Sequence, residues 1–157
     1  MSYFLGYLYD IKQKVWFSGI DRTVKNNTEY IPTWSRQELA RSLLMFIPTE
    51  NPDFYIIKPD PKIVMYRNLV LGTRKQDEIV SKLLFSENQN ESDPNQMFHI
   101  SLDSPFVFST MNDQCIISEH DVSTVVSNHI LKYVAIDQST QKNISRSVCG
   151  NWKVIKL

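Results

Sequence analysis

The sequence predicts an α+β fold in one domain, a mostly antiparallel sheet with about three helices, and three observations carry that prediction. Short aromatic and β-branched runs, bounded by Pro, Gly or polar clusters, recur along the chain and read as strands. Between them lie apolar residues at helical spacing, each set preceded by a residue that can cap a helix. The chain has 157 residues, 42% hydrophobic and 11% aromatic, which suits a single core-bearing domain over 1–157 and excludes a disordered chain.

In order, Tyr3 to Tyr9 suits a buried strand, Asp10 to Lys14 a turn, and Val15 to Ile20 a second strand, so the chain opens with a hairpin. Its Tyr and Trp residues suit a sheet face or core, and they could also stack on bases. Thr23 to Trp34 reads as a loop. Ser35-Arg36-Gln37-Glu38 has the form of a capping box, and Leu39, Leu43 and Phe46 follow at i, i+4, i+7, predicting a helix that Pro48 closes. Phe54 to Ile57 is a strand, Lys58 to Lys62 a turn with prolines on both sides of Asp60, and Ile63 to Leu71 a further β segment ended by Gly72. Thr73 with Gln76 predicts a second helix whose stripe is Ile79, Val80, Leu83 and Leu84. Asn88 to Asn95 has no hydrophobic residue and reads as a loop. Met97 to Leu102 and Pro105 to Ser109 are strands, and Cys115 to Ile117 is a short apolar run. Ser118 begins the longest helix, with Val122, Val125, Val126, His129, Ile130 and Tyr133 on its inner face. Gln138 to Ser147 is polar, and Trp152 to Ile155 returns as a last strand.

The 17 basic and 17 acidic residues cancel, so global charge points to no polyanionic partner; their order says more. Lys58, Lys62, Arg67, Arg74, Lys75 and Lys82 face only three acids within their stretch. Leu83 to Leu131 holds no Lys or Arg but seven acids, Glu87, Glu91 and Asp93 among them. Such blocks suit a phosphate-binding face beside an acidic, metal-binding one, unless folding mixes them. Within Phe54 to Asp93, Lys58 and Asp60 end a β segment and Glu87 follows an apolar run. A lysine near several carboxylates at element ends is material for a phosphate-handling site, although element ends are commonly solvated charges.

Cys115 and Cys149 could pair, and the absence of CxxC argues against a thiolate zinc site. Sequons at Asn26, Asn90 and Asn143 read as chance in an Asn- and Ser-rich chain. MSYFLGYLYDIK lacks the basic and apolar regions of a signal peptide, which predicts a protein that is not secreted, and no run approaches a membrane span. Known motifs do not complete. Pro59-Asp60 opens a PD-(D/E)xK pattern, but Glu78 stands four residues before Lys82 instead of two. Glu91-Ser92-Asp93 has the carboxylate spacing of a nucleotidyltransferase without its glycine pair. P-loop, GxSxG and HExxH are absent, and His99, His120 and His129 are scattered.

The chain's size and opening, with Lys58 in FYIIKPDPK and Glu87 in SKLLFSENQN, resemble the small nuclease of filamentous viruses (lipothrixviruses) that infect the archaeon Acidianus, over the whole chain. That resemblance implies an α+β fold distantly similar in topology to nucleotidyltransferases, degradation of linear double-stranded DNA, and a host-cell cytoplasmic location. It also implies Glu87 as the essential catalytic acid, with Lys58 as a lesser catalytic candidate. In such an enzyme Lys62, Arg67, Arg74, Lys75 and Lys82 would contact DNA. Asp60, Glu91 and Asp93 would help hold Mg²⁺. The competing expectation is a non-enzymatic viral accessory module that binds DNA or protein through the aromatic hairpin.

Overall fold

Alternation carries most of the regular structure among the described residues into strands. The computed structural model describes residues 2–22, 30–78, 80–87, 89–119, 132–137 and 149–157. In β1 (Phe4–Asp10) the side chains of Leu8 and Asp10 turn inward while Leu5, Tyr7 and Tyr9 stay half-buried on the other side. A turn at 11–14 leads into β2 (Val15–Arg22), and the opening hairpin forms with Tyr9 opposite Trp16 and Asp10 opposite Val15. Asp10 shapes that turn: its carboxylate accepts the backbone N–H of Lys12 at 2.9 Å and of Gln13 at 3.3 Å.

Among the described residues nine further strands follow: β3 (Tyr30–Ser35), β4 (Leu44–Pro48), β5 (Phe54–Pro59), β6 (Val70–Lys75), β7 (Val80–Ser86), β8 (Phe98–His99), β9 (Gln114–Ser118), β10 (Tyr133–Asp137) and β11 (Trp152–Lys156). All their pairings are antiparallel. They also close a circuit. β1 pairs β2, β2 pairs β3, β3 meets β7 at Tyr30–Phe85, β7 pairs β10, and β10 pairs β9. From β9 the ladder passes through Ser109–Cys115 to the 106–110 segment, through Phe106–Trp152 to β11, and from β11 back to β1. The sheet is thus rolled on itself. β4, β5 and β8 form a flap that leaves β1 at Phe4–Gly6.

The rolled sheet encloses an aromatic core. Phe46, Phe85, Phe98, Phe108 and Trp152 are fully buried. Trp152 packs edge-on against Phe108 at 4.9 Å, and its indole N–H donates to the Ile116 carbonyl at 3.1 Å. Asp10 is only 4% exposed, and beside its two backbone bonds it accepts the Tyr133 hydroxyl, so the buried carboxylate is satisfied.

The α+β expectation with about three helices, and the nucleotidyltransferase-like topology with it, is overturned: the fold is mostly antiparallel β. The helical elements lying wholly within the described residues are three single 3₁₀ turns, Glu38–Ala40, Val64–Tyr66 and Pro94–Gln96. Where the Ser35 capping box predicts a helix, Ser35 ends β3 and its hydroxyl accepts the Gln37 N–H. Leu39 is fully exposed, whereas Leu44 and Phe46 alternate into the core, so a period of two wins over the helical stripe. Where Thr73 predicts a second helix, β6 and β7 form a hairpin. The Thr73 hydroxyl donates to the Gln114 side chain at 2.7 Å, and the Asp77 carboxylate accepts the Val80 N–H at 2.7 Å to shape the turn. The third expected helix lies mainly in 120–131, outside the described residues; its flanks, Ser118 and Tyr133, belong to β9 and β10.

Candidate nucleic-acid interface

Register decides which side chains share a face, because directly opposed residues in an antiparallel pair point the same way. Tyr9 lies between Trp16 on β2 and Lys153 on β11. Tyr7 lies opposite Ile155, and Leu5 lies opposite Met45, which lies opposite Lys58. The outer side of β1, β2, β11, β4 and β5 is therefore one surface holding Tyr7, Tyr9, Trp16, Lys153 and Lys58. Tyr9 and Trp16 rings are 4.5 Å apart, and Tyr7 meets Trp16 edge-on at 6.4 Å.

Arg41 completes this surface. It follows the Glu38–Ala40 turn, and the Ser42 N–H donates to the Phe17 carbonyl at 2.9 Å, holding the segment along β2. The guanidinium lies 4.0 Å from the Tyr7 ring centroid and 5.2 Å from that of Trp16. Its salt bridge to Glu38 at 2.9 Å is exposed and contributes about 0–1 kcal/mol, so stacking on the rings sets its position at least as much.

Lys58 is half-buried, and its ammonium donates to the Gln89 side-chain oxygen at 3.2 Å. Desolvation holds its pKa below the usual lysine value of 10.5. That hydrogen bond brings the loop after β7, where exposed Glu87 lies, to the edge of the same surface. The remaining candidates disperse. Asp60 accepts the Lys62 N–H at 3.0 Å and shapes its own turn. Asp93 accepts the Asn95 N–H at 2.9 Å and caps a 3₁₀ turn. Glu91 lines a separate polar cleft of about 350 Å³ with Glu50 and Asn51. Among the described residues no three His, Cys, Asp or Glu side chains converge as metal ligands. Asp60, Glu91 and Asp93 are therefore not gathered into one Mg²⁺ site.

Of the expected DNA contacts, Lys62 and Arg67 are exposed on the turn after β5, and Arg74 and Lys75 are exposed at the end of β6. Arg74 lies opposite Lys82, which makes those two cations neighbours. Reasoning from sequence missed Arg41, because it assigned that residue to a helix, and Lys153, because it assigned no face to the last strand. An alternating reading of the segment around Leu44 and Phe46 would have freed Arg41 for a surface role. No family model, no curated protein and no solved structure matches this chain. Among the described residues no helix is long and apolar enough to cross a membrane.

Proposed function

We propose that this protein binds nucleic acid, with unpaired bases stacking on the Tyr7–Tyr9–Trp16 surface and phosphates meeting Arg41, Lys153 and Lys58. The observation that carries this reading is the guanidinium stacked 4.0 Å above Tyr7 on a half-exposed aromatic hairpin. Aromatic faces interleaved with cations serve single strands without sequence preference, because every base has a π-face and every linkage a charge. Trp16→Ala and Arg41→Ala are measured against a fluorescent single-stranded oligonucleotide by anisotropy. Loss of one stacking partner weakens binding by about 1–3 kcal/mol, roughly 5- to 150-fold. Equal affinity for parent and both variants, or no binding by the parent, removes the proposal.

A second reading, hydrolysis of linear double-stranded DNA, is favoured by one feature: the Lys58 hydrogen bond to Gln89 places the Glu87 loop at the edge of the stacking surface. A strand lying there would bring its phosphates to Lys58, with Glu87 near as an acid or base. Purified protein is incubated with linear duplex DNA in Mg²⁺ and in EDTA. Glu87→Ala is expected to abolish cleavage while changing stability by less than about 0.5 kcal/mol, as exposed substitutions do. An inactive parent ends this reading and leaves the binding function intact.

The host-cytoplasmic location expected from the sequence meets one contrary feature, the Cys115–Cys149 disulfide, since such bonds are rare in reducing compartments. Thiol trapping in cells before electrophoresis separates the two: a reduced pair agrees with the cytoplasm, an oxidised pair with an oxidising compartment.

A further inference from the structure

The β4–β5 hairpin and the loop after β7 enclose a cleft of about 350 Å³. On the hairpin side Ile47 lies opposite Ile56 and Pro48 opposite Tyr55, and the chain reverses over 49–53. That turn is held from within. The Thr49 N–H donates to the Phe54 carbonyl at 3.2 Å, the Phe54 N–H to the Asn51 carbonyl at 3.2 Å, and the Thr49 hydroxyl accepts the Asn51 N–H at 3.1 Å. The facing wall is tied down in the same way. The Asn90 side-chain oxygen accepts the Ser92 N–H at 3.0 Å, and the Asn90 N–H donates to the Gln96 side chain at 2.7 Å. Ile47, Ile56 and Met97 make the floor; Ile56 and Met97 are only 3% and 4% exposed, and Val70 packs with them.

The rim has the opposite character. Glu50 stands on the hairpin wall and Glu91 on the loop wall, both exposed. Among the described residues neither carboxylate has an ion-pair or hydrogen-bond partner. The described lining contains no Lys, Arg or His. Lys58, two residues beyond Ile56 on β5, turns its ammonium to Gln89, outside the lining. Ser92 adds a hydroxyl, and Asn51 an amide whose nitrogen meets the Met97 sulfur at 3.8 Å. Two uncompensated carboxylates therefore flank an aliphatic floor.

We propose that this cleft binds an aliphatic ammonium ion, its alkyl chain on Ile47, Ile56 and Met97 and its charge held by Glu50 and Glu91. A primary ammonium has three donors and no acceptor, which suits a rim of carboxylates, and such charge-assisted bonds are the stronger kind. Each methylene laid on the floor adds about fourfold in affinity. A quaternary ammonium cannot donate and is recognised by aromatic faces, which the described lining lacks. A hydrated metal ion gains nothing from the floor, and among the described residues no third ligand converges. The same group is carried by a free diamine and by the lysine side chain of another protein. The cleft shares no residue with the Tyr7–Tyr9–Trp16 surface and binds whether or not that surface takes nucleic acid.

The test is a ¹H–¹³C methyl NMR titration of the full chain at constant ionic strength with n-butylammonium, butane-1,4-diamine, butan-1-ol and Mg²⁺. Butylammonium binds saturably at millimolar concentration and moves the Ile47, Ile56 and Met97 methyl signals. The diamine binding about tenfold tighter than the monoamine identifies a free diamine, its two ammoniums answering the two carboxylates; equal binding identifies a single ammonium, as on a lysine side chain. Butanol and Mg²⁺ bind at least about tenfold more weakly than butylammonium. Glu50→Gln with Glu91→Gln, both exposed, lowers its affinity about tenfold with the folded spectrum kept. Ser92→Lys, which sets an ammonium on the rim, lowers it by a similar factor. The proposal is overturned by absence of saturable shifts at these methyls, by butanol or Mg²⁺ binding as tightly as butylammonium, or by unchanged affinity in either variant.

Discussion

Lys58 keeps an ammonium where burial disfavours its charge, and that has a measurable sign. Its folded-state pKa lies below the unfolded value of 10.5, so between the two the unfolded chain binds more protons and stability rises with pH. Below the lowered value the lysine is charged in both states and the native state bears its desolvation in full. Lys58→Met is therefore expected to raise the melting temperature near neutral pH, and that advantage should shrink as pH climbs toward 10.5. Parallel melting curves for parent and variant across the alkaline range would show that the Gln89 hydrogen bond offsets the desolvation. Charge and position single out Lys58 and the loop from Asn88 to Asn95, the latter for Glu91 and Asp93; the hydrogen bond that joins the two is made by Gln89, an uncharged residue that charge patterning does not mark. The carboxylates were legible only as residue types. Asp60 and Asp93 satisfy their own turns, a local use that polar residues in loops make wherever backbone N–H groups need acceptors.

Elements were harder to read than residues, for a physical reason. In β7 the buried Leu83, Leu84 and Phe85 face both sides of a covered sheet, and a run buried on two faces has no period to distinguish strand from helix. The Leu39, Leu43, Phe46 spacing is accidental: pairing of β4 with β1 and β5, a long-range interaction, decides the segment. Short strands framed by turns, such as those of the opening hairpin and the last strand, were legible because alternation and punctuation agree there. The junction where β1 is flanked by β4 and β11 depends on Gly6, opposite both Leu44 and Lys156. A Cβ there would lie 3.0 Å from the Ile155 carbonyl oxygen and 3.3 Å from a Val154 methyl, and the carbonyl is backbone that cannot swing aside. Gly6→Ala should thus destabilise the fold by about 1–3 kcal/mol, in the range of overpacking, with the loss read from urea denaturation. An unchanged denaturation midpoint would mean that β11 can shift away from β1 without loss.

For the whole molecule, the closed circuit depends on bringing the C-terminal strand back to the N-terminal one, and one covalent link lies on that return path. Cys115 on β9 is bonded to Cys149, 34 residues further on and just before β11. Both are buried, packed with Ile117, Val134 and Ile136 on the side of the sheet away from the aromatic core. β11 is otherwise held by its ladder to β1 and by the Phe106–Trp152 bridge. Closing a loop of 34 residues removes chain entropy from the unfolded state, worth roughly 3–4 kcal/mol by the loop-entropy relation. For a chain of 157 residues that corresponds to a fall in melting temperature of about 10 °C on reduction. Melting is compared with and without dithiothreitol, and with Cys115→Ala and Cys149→Ala combined. The double variant should melt near the reduced parent and be indifferent to reductant. Tyr7, Tyr9 and Trp16 lie on β1 and β2, whose hairpin contains neither cysteine, so reduction well below the melting point should leave that aromatic hairpin folded. Two free thiols titrated in the untreated protein, or a melting temperature that reductant does not move, would leave the backbone ladder alone to hold the circuit closed.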